Sequence, residues 1–149
     1  MASSKNLLDP RRHAFRDDLA AEALRGRVSA KRYAAGEMRQ VVHSSTPLRG
    51  EPDLRAAWTS EVLFGELVTV YDESDGWVWV QLEGDGYVGY LRSGSLSAQT
   101  STPTHRVRAL GTFLYPADDD KAPPRLHVSM NAALCVSELG QSFAKLGDG

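Results

Sequence analysis

A catalytic thiolate needs partial exposure, a nearby histidine and, often, a helix N-terminus. The chain's single cysteine, Cys135, instead stands within the apolar run Ala133-Leu134-Cys135-Val136, which reads as mid-strand. Its expected role is that of a small structural side chain. The four histidines, His13, His43, His105 and His127, are scattered, with neither a His-x-x-x-His spacing nor a Cys-x-x-Cys pair to complete a zinc site. No metal is expected. Gly84-Asp85-Gly86-Tyr87-Val88-Gly89 has the letters of a dinucleotide-binding loop, but such a loop must open a helix whose N-terminus faces a pyrophosphate. Here Tyr87-Val88-Gly89-Tyr90-Leu91 continues as a strand, so the glycines read as a hairpin turn and no cofactor is expected. Asp118-Asp119-Asp120-Lys121 lacks the alternating ligands and closing glutamate of a calcium loop and reads as a solvated loop.

What remains is aromatic. Trp58, Phe64, Tyr71, Trp77, Trp79, Tyr87 and Tyr90 crowd into one stretch, and some of them must fill an interior, because small β-barrels need bulky inward side chains. Trp77 and Trp79 share one face of a strand, with Val78 and Val80 on the other. Two packings are open. Inward valines leave the tryptophans as a partly exposed recognition shelf; inward tryptophans remove the shelf. Glu66, Glu83 and Asp85 lie near these rings in sequence, as partners for a cationic amine or as solvated rim charges.

The elements that position these residues follow from composition and period. The 149 residues are 42% hydrophobic and 24% charged, as in a soluble globular protein. Seventeen basic against nineteen acidic residues give a net charge of −2, without the basic excess that phosphate neutralisation requires, so nucleic acid is not the expected partner. No apolar run approaches the roughly 18 residues needed to span a bilayer, and Met1 to Asp9 hold only the apolar pair Leu7-Leu8. The expected setting is cytoplasmic, with no membrane partner. Phe15, Leu19 and Ala23 recur at steps of four beside Ala20 and Leu24, Asp17 and Asp18 precede them, and Gly26 follows Arg25. That pattern predicts a short helix over about residues 15–25 within an N-terminal arm, residues 1–38.

From about residue 39 the period becomes two, with turn residues at Asp75-Gly76, Gly84-Asp85-Gly86 and Ser93-Gly94, the mark of a small all-β barrel or sandwich. Residues 98–104 read as a linker between units 39–97 and 105–149. These two units are copies of one pattern. Shifting the chain by 66 residues sets Val41 on Val107, Thr46 on Thr112, Leu48 on Leu114, Val62 on Val128 and Val70 on Val136. Gly65 falls on Asn131, the two residue types that best tolerate positive φ. Gly84-Asp85-Gly86 is matched by Gly147-Asp148-Gly149 after a three-residue deletion. The second copy is therefore expected to lack its last strand, leaving an open edge that invites self-association.

Thr59-Ser-Glu-Val-Leu-Phe-Gly-Glu66, Val68-Thr-Val70, Asp75-Gly-Trp-Val-Trp-Val80 and Asp85-Gly-Tyr-Val-Gly-Tyr90 resemble the first bacterial SH3-like domain of NlpC-type cell-wall cysteine peptidases, the dipeptidyl-peptidase VI-like, γ-D-glutamyl-L-diamino-acid endopeptidases. Gly111-Thr-Phe-Leu-Tyr-Pro116 through Phe143-Ala-Lys-Leu146 is similar to their second such domain. The resemblance implies two tandem SH3-like barrels and a papain-like catalytic domain that belongs beside them. The Asp-Cys-Ser-Gly motif of that domain is missing from this sequence, so no catalytic residue and no hydrolysis are expected of the chain alone. What the resemblance implies instead is substrate recognition and scaffolding: binding the free N-terminal L-Ala of a murein peptide through an acidic residue and a tyrosine. The matching positions are Tyr87 with Glu66, and Glu61 as the second acidic candidate. A carboxylate and a phenol oxygen together satisfy an ammonium group. Ala132 replaces Glu66 in the second copy, which is expected to brace rather than bind. The alternatives are an independent SH3-like module for cell-wall peptide or glycan, and a protein-interaction fragment.

Overall fold

The computed structural model describes residues 8–147, and they are all-β. Among them β1 (Leu19–Ala21) pairs in parallel with β2 (Arg32–Ala34). Then come β3 (Glu37–Val41), β4 (Ser45–Arg49), β5 (Trp58–Leu63), β6 (Leu67–Ser74), β7 (Trp77–Leu82), β8 (Val88–Arg92) and β9 (Leu96–Ser97), joined in one sheet of order β5-β4-β8-β7-β6-β3-β9. The hairpin between β6 and β7 turns on Asp75 and Gly76, with φ of 53° and 77°, the two positive values that a two-residue hairpin loop matching strand twist requires.

β7 shows why the sheet is stable. Val78 and Val80 enter a fully buried cluster with Val41, Leu48, Val62, Val68 and Leu91. The opposite face carries Trp79, which packs with Ala14, Leu19, Ala21 and Leu24 of the N-terminal arm. The arm thus lines the outer side of the sheet. It does so without the expected helix over 15–25: Phe15 bridges Ala20, Leu19–Ala21 are extended, and helical geometry is confined to the single 3-10 turn Glu22–Leu24. A segment of that length is marginal as a helix in water, whereas an extended path buries Leu19, Ala20 and Ala21 consecutively. The part of the arm over residues 1–7 lies outside the described residues.

Residues 105–146 hold β10 (His105–Arg106), β11 (Gly111–Leu114), β12 (Leu126–Ser129), β13 (Ala133–Leu134), β14 (Val136–Leu139) and β15 (Ala144–Leu146). The 66-residue repeat extends to single backbone pairs. Thr46 faces Val62 as Thr112 faces Val128, and Arg39 faces Val68 as His105 faces Leu134. Val70 faces Val80 as Val136 faces Leu146, with a bulge after both Val70 and Val136. The Gly65 amide donates to the Val41 carbonyl at 2.9 Å, and the Asn131 amide to that of Val107 at 2.8 Å. Both turn residues take positive φ, 80° and 72°. Yet the second copy forms three two-stranded pieces rather than one sheet, and nothing among its described residues corresponds to β8. The Gly-Asp-Gly match at its end extends into 148–149, outside the described residues.

The two copies touch closely. The Ala133 amide donates to the Phe64 carbonyl at 2.9 Å, and Phe64 packs on the small core of Val107, Val128 and Ala132. Gln40, buried, donates from Nε2 to the carbonyls of Gly65 (2.8 Å) and Ser101 (3.0 Å) and accepts from the Ser101 amide at 2.9 Å, which pins the 98–104 segment to β3.

Candidate functional site

The tryptophan shelf is absent. Trp77 is 8% exposed and Trp79 4%, although Val78 and Val80 are the inward residues. Both faces of β7 are covered, because the arm packs on Trp79 and the Arg92 guanidinium lies over Trp77 at 4.9 Å. Neither ring is an open surface for recognition.

The two residues with the matching motif flank one turn. Tyr87 immediately precedes β8, is partly buried against the main cluster, and carries the Arg12 guanidinium over its ring at 4.7 Å. Its phenol oxygen makes no hydrogen bond among the described residues, and it is not a buried orphan. Glu66 reaches the same turn: Oε1 lies 3.7 Å from where a Cβ of Gly84 would be. Its other oxygen, Oε2, accepts the Leu63 amide at 2.6 Å and so closes the β5–β6 turn. Glu61 is elsewhere, exposed on β5 opposite Pro47. Since β4 separates β5 from β8, it stands two strands, about 10 Å, across the sheet from β8. No hydrogen bond joins these three side chains.

A cleft of about 210 Å³ opens beside the β6–β7 hairpin, between Arg16, Asp72, Asp75, Trp77 and Tyr90. Its polar wall is ordered. Arg16 lays its guanidinium over the Trp79 ring at 4.4 Å and donates to Asp18 Oδ2 (2.7 Å), Asp72 Oδ2 (2.6 Å) and the Tyr90 hydroxyl (3.3 Å). Partial burial alone would make that guanidinium easier to deprotonate. The hydrogen bonds to Asp18, Asp72 and Tyr90 outweigh it and hold the group above its ordinary range. The same bond to Arg16 pulls Asp18 below the usual carboxylate range. Arg32 approaches the second oxygen of Asp72 at 3.6 Å. Tyr71, tilted against Trp79 at 5.9 Å, has its phenol pushed up by burial first and by the Glu83 carboxylate second. The charges of this wall are paired with one another, and it contains no nucleophile–base pair.

Arg16, Asp72 and Tyr90 carry no local signal of this role. Arg16 and Asp72 are 56 residues apart, and the bulge after Val70 moves Asp72 out of the alternation that the sequence suggests. Cys135 is half-buried between β13 and β14 and lines a separate cleft with Gln40, Phe64, Ser101 and Leu146. Among the described residues no three His, Cys, Asp or Glu side chains gather where they could hold a metal ion.

Comparison with known proteins bears on the first unit. No curated protein matches the chain. Residues 48–96, 49 of the 149, match the family described as the bacterial dipeptidyl-peptidase Sh3 domain. That span runs from the penultimate residue of β4 to the first residue of β9 and takes in Glu61, Glu66, Trp77, Trp79 and Tyr87. Over residues 48–96 the central sheet is thus similar to the bacterial dipeptidyl-peptidase Sh3 domain, in keeping with an SH3-like all-β unit.

Proposed function

We propose that the chain is the substrate-recognition and scaffold region of a murein-peptide cysteine endopeptidase of the γ-D-glutamyl-diaminopimelate type, and that it does no chemistry itself. The family match over residues 48–96 carries this reading. In it, the ligand is a murein peptide with a free N-terminal L-Ala, and the partner is a papain-like catalytic domain. Tyr87, whose phenol is free to bond, and Glu66 Oε1 at the same turn receive the ammonium group. The second copy, with Ala132 at the position of Glu66, braces the first through the Phe64–Ala133 contact.

Calorimetric titration with L-Ala-γ-D-Glu-meso-diaminopimelate tests it. Saturable binding is expected, weakened about tenfold by Tyr87→Phe, as for the loss of one hydrogen bond to a charged group. Acetylation of the peptide's N-terminus should abolish it. Equal binding of the free and acetylated peptides would overturn the proposal.

A further inference from the structure

The N-terminal arm fixes a cation beside the turn that carries Tyr87. Three arginines of the arm pair with a carboxylate of the arm itself: Arg11 with Asp9 at 3.0 Å, Arg16 with Asp18 at 2.7 Å and Arg25 with Glu22 at 2.6 Å. Arg12 forms no ion pair among the described residues. Its guanidinium lies over the Tyr87 ring at 4.7 Å, and Nη1 donates to the Asp85 carbonyl at 3.1 Å. The Asp85 carboxylate is engaged elsewhere, with Oδ1 accepting the Tyr87 amide at 3.0 Å.

The backbone around Arg12 is held as firmly as its side chain. The Val88 amide donates to the Arg11 carbonyl at 2.8 Å. Gln81 Nε2 donates to the carbonyls of Arg12 (3.0 Å) and Gly86 (3.1 Å), which ties the arm to the turn. A guanidinium carries five N–H donors in a planar fork that matches a carboxylate. Here the group is exposed, and its one hydrogen bond is the bond to Asp85. A cation fixed in place before a ligand arrives lowers the ordering cost of binding. The turn therefore presents both signs of charge, Glu66 Oε1 beside Gly84 and Arg12 over Tyr87. A ligand with an amine alone meets the Arg12 charge as repulsion, whereas one with a carboxylate close to its amine complements both.

We infer that Arg12 is a specificity-determining residue that binds a ligand carboxylate on the residue next to the one bearing the ammonium group. The inference rests on the reading that Tyr87 and Glu66 hold that ammonium. In the peptide proposed above, the carboxylate is the α-carboxylate of the γ-linked D-Glu.

Calorimetric titration of the full 149-residue chain tests this with L-Ala-γ-D-Glu-meso-diaminopimelate and with the same peptide carrying an amide in place of the D-Glu α-carboxylate. The amidated peptide should bind the parent chain about tenfold more weakly, as for the loss of a hydrogen bond between charged groups. This comparison needs no substitution, so it does not depend on a variant's folding. Arg12→Gln should bind both peptides equally, at the weaker level, while unchanged exchange of the Val88 amide reports that the arm stays docked. Equal binding of the two peptides by the parent, with N-acetylation still abolishing binding, would overturn the inference alone. So would an undiminished preference for the acid in Arg12→Gln. Tight binding of the acetylated peptide, with the Arg12-dependent preference kept, would support the inference and overturn the assignment of the ammonium to Tyr87 and Glu66. Absence of binding by every peptide would overturn both.

Discussion

Trp79→Ala removes the side chain against which the N-terminal arm is packed. Trp79 is 4% exposed, meets Leu19, Ala21 and Leu24, and carries the Arg16 guanidinium at 4.4 Å. Truncating a buried tryptophan to alanine costs about 3–5 kcal/mol; the cation–π contact, about 0.5–2 kcal/mol by itself, overlaps with that figure and is not added to it. Val78 and Val80 point into the other cluster, so the loss falls on the docking of the arm. For about 3 kcal/mol, the amide of Ala21, which donates to the Ala14 carbonyl at 2.8 Å, should exchange about a hundredfold faster. The melting temperature should fall by about 6–12 °C if the chain unfolds as one unit. Exchange resolved by NMR measures the first and calorimetry the second. Trp58→Ala, at a residue 60% exposed, should stay within about 0.5 kcal/mol. A Trp79→Ala protein within about 1 kcal/mol of the parent, with unchanged exchange at Ala21, would refute the packing account.

Other substitutions probe the join between the copies. At Gly65, φ is 80° and a Cβ would overlap the Ala133 carbonyl oxygen. Gly65→Ala should therefore cost more than about 3 kcal/mol in urea denaturation, whereas Gly94→Ala, with nothing within 4 Å, should be near neutral. Gln40→Ala leaves the Ser101 amide and the Gly65 carbonyl without their buried partner. A loss of about 1–3 kcal/mol is expected, seen as faster exchange at Ser101. Acid should loosen the local Arg16–Asp18 pair within the arm. Asp18 is held below its unfolded pKa by Arg16, so its contribution is present above about pH 4 and disappears as pH falls through the lowered folded value. The contribution is small because the pair is solvent-screened, and an Arg16→Met protein should lack that acid-dependent step in arm exchange.

The chain displays its sheet more plainly than its site. The period of two and the Asp75-Gly76 turn mark β6 and β7 directly, and the 66-residue shift anticipates the pairing of Thr112 with Val128 and the positive φ of Asn131. These are local or self-comparing signals, and they survive folding because the same backbone solution is used twice. The arm was illegible for the opposite reason. Its four-residue steps match a helical stripe, but the surface it meets, Trp79 with Tyr71 and Tyr90, lies more than 40 residues on and favours an extended path. The same arm decides the tryptophans: neither packing weighed for β7 includes a second layer from residues 14–24, so neither foresees both faces buried. Arg16 reads locally as a charge beside Asp17 and Asp18, and its bonds to Asp72 and Tyr90 exist only in the fold. Glu66 was recognisable as a residue of interest, but its bond to the Leu63 amide shows that half of its carboxylate serves the turn.

The recognition proposal is tested most directly by an amide-resolved NMR titration of the chain with L-Ala-γ-D-Glu-meso-diaminopimelate. The account predicts saturable shifts that centre on residues 83–87 and on the turn around Glu66, and that vanish when the peptide's amino group is acetylated. Shifts that are absent, or that survive acetylation, or that gather only on residues 105–147, would contradict it.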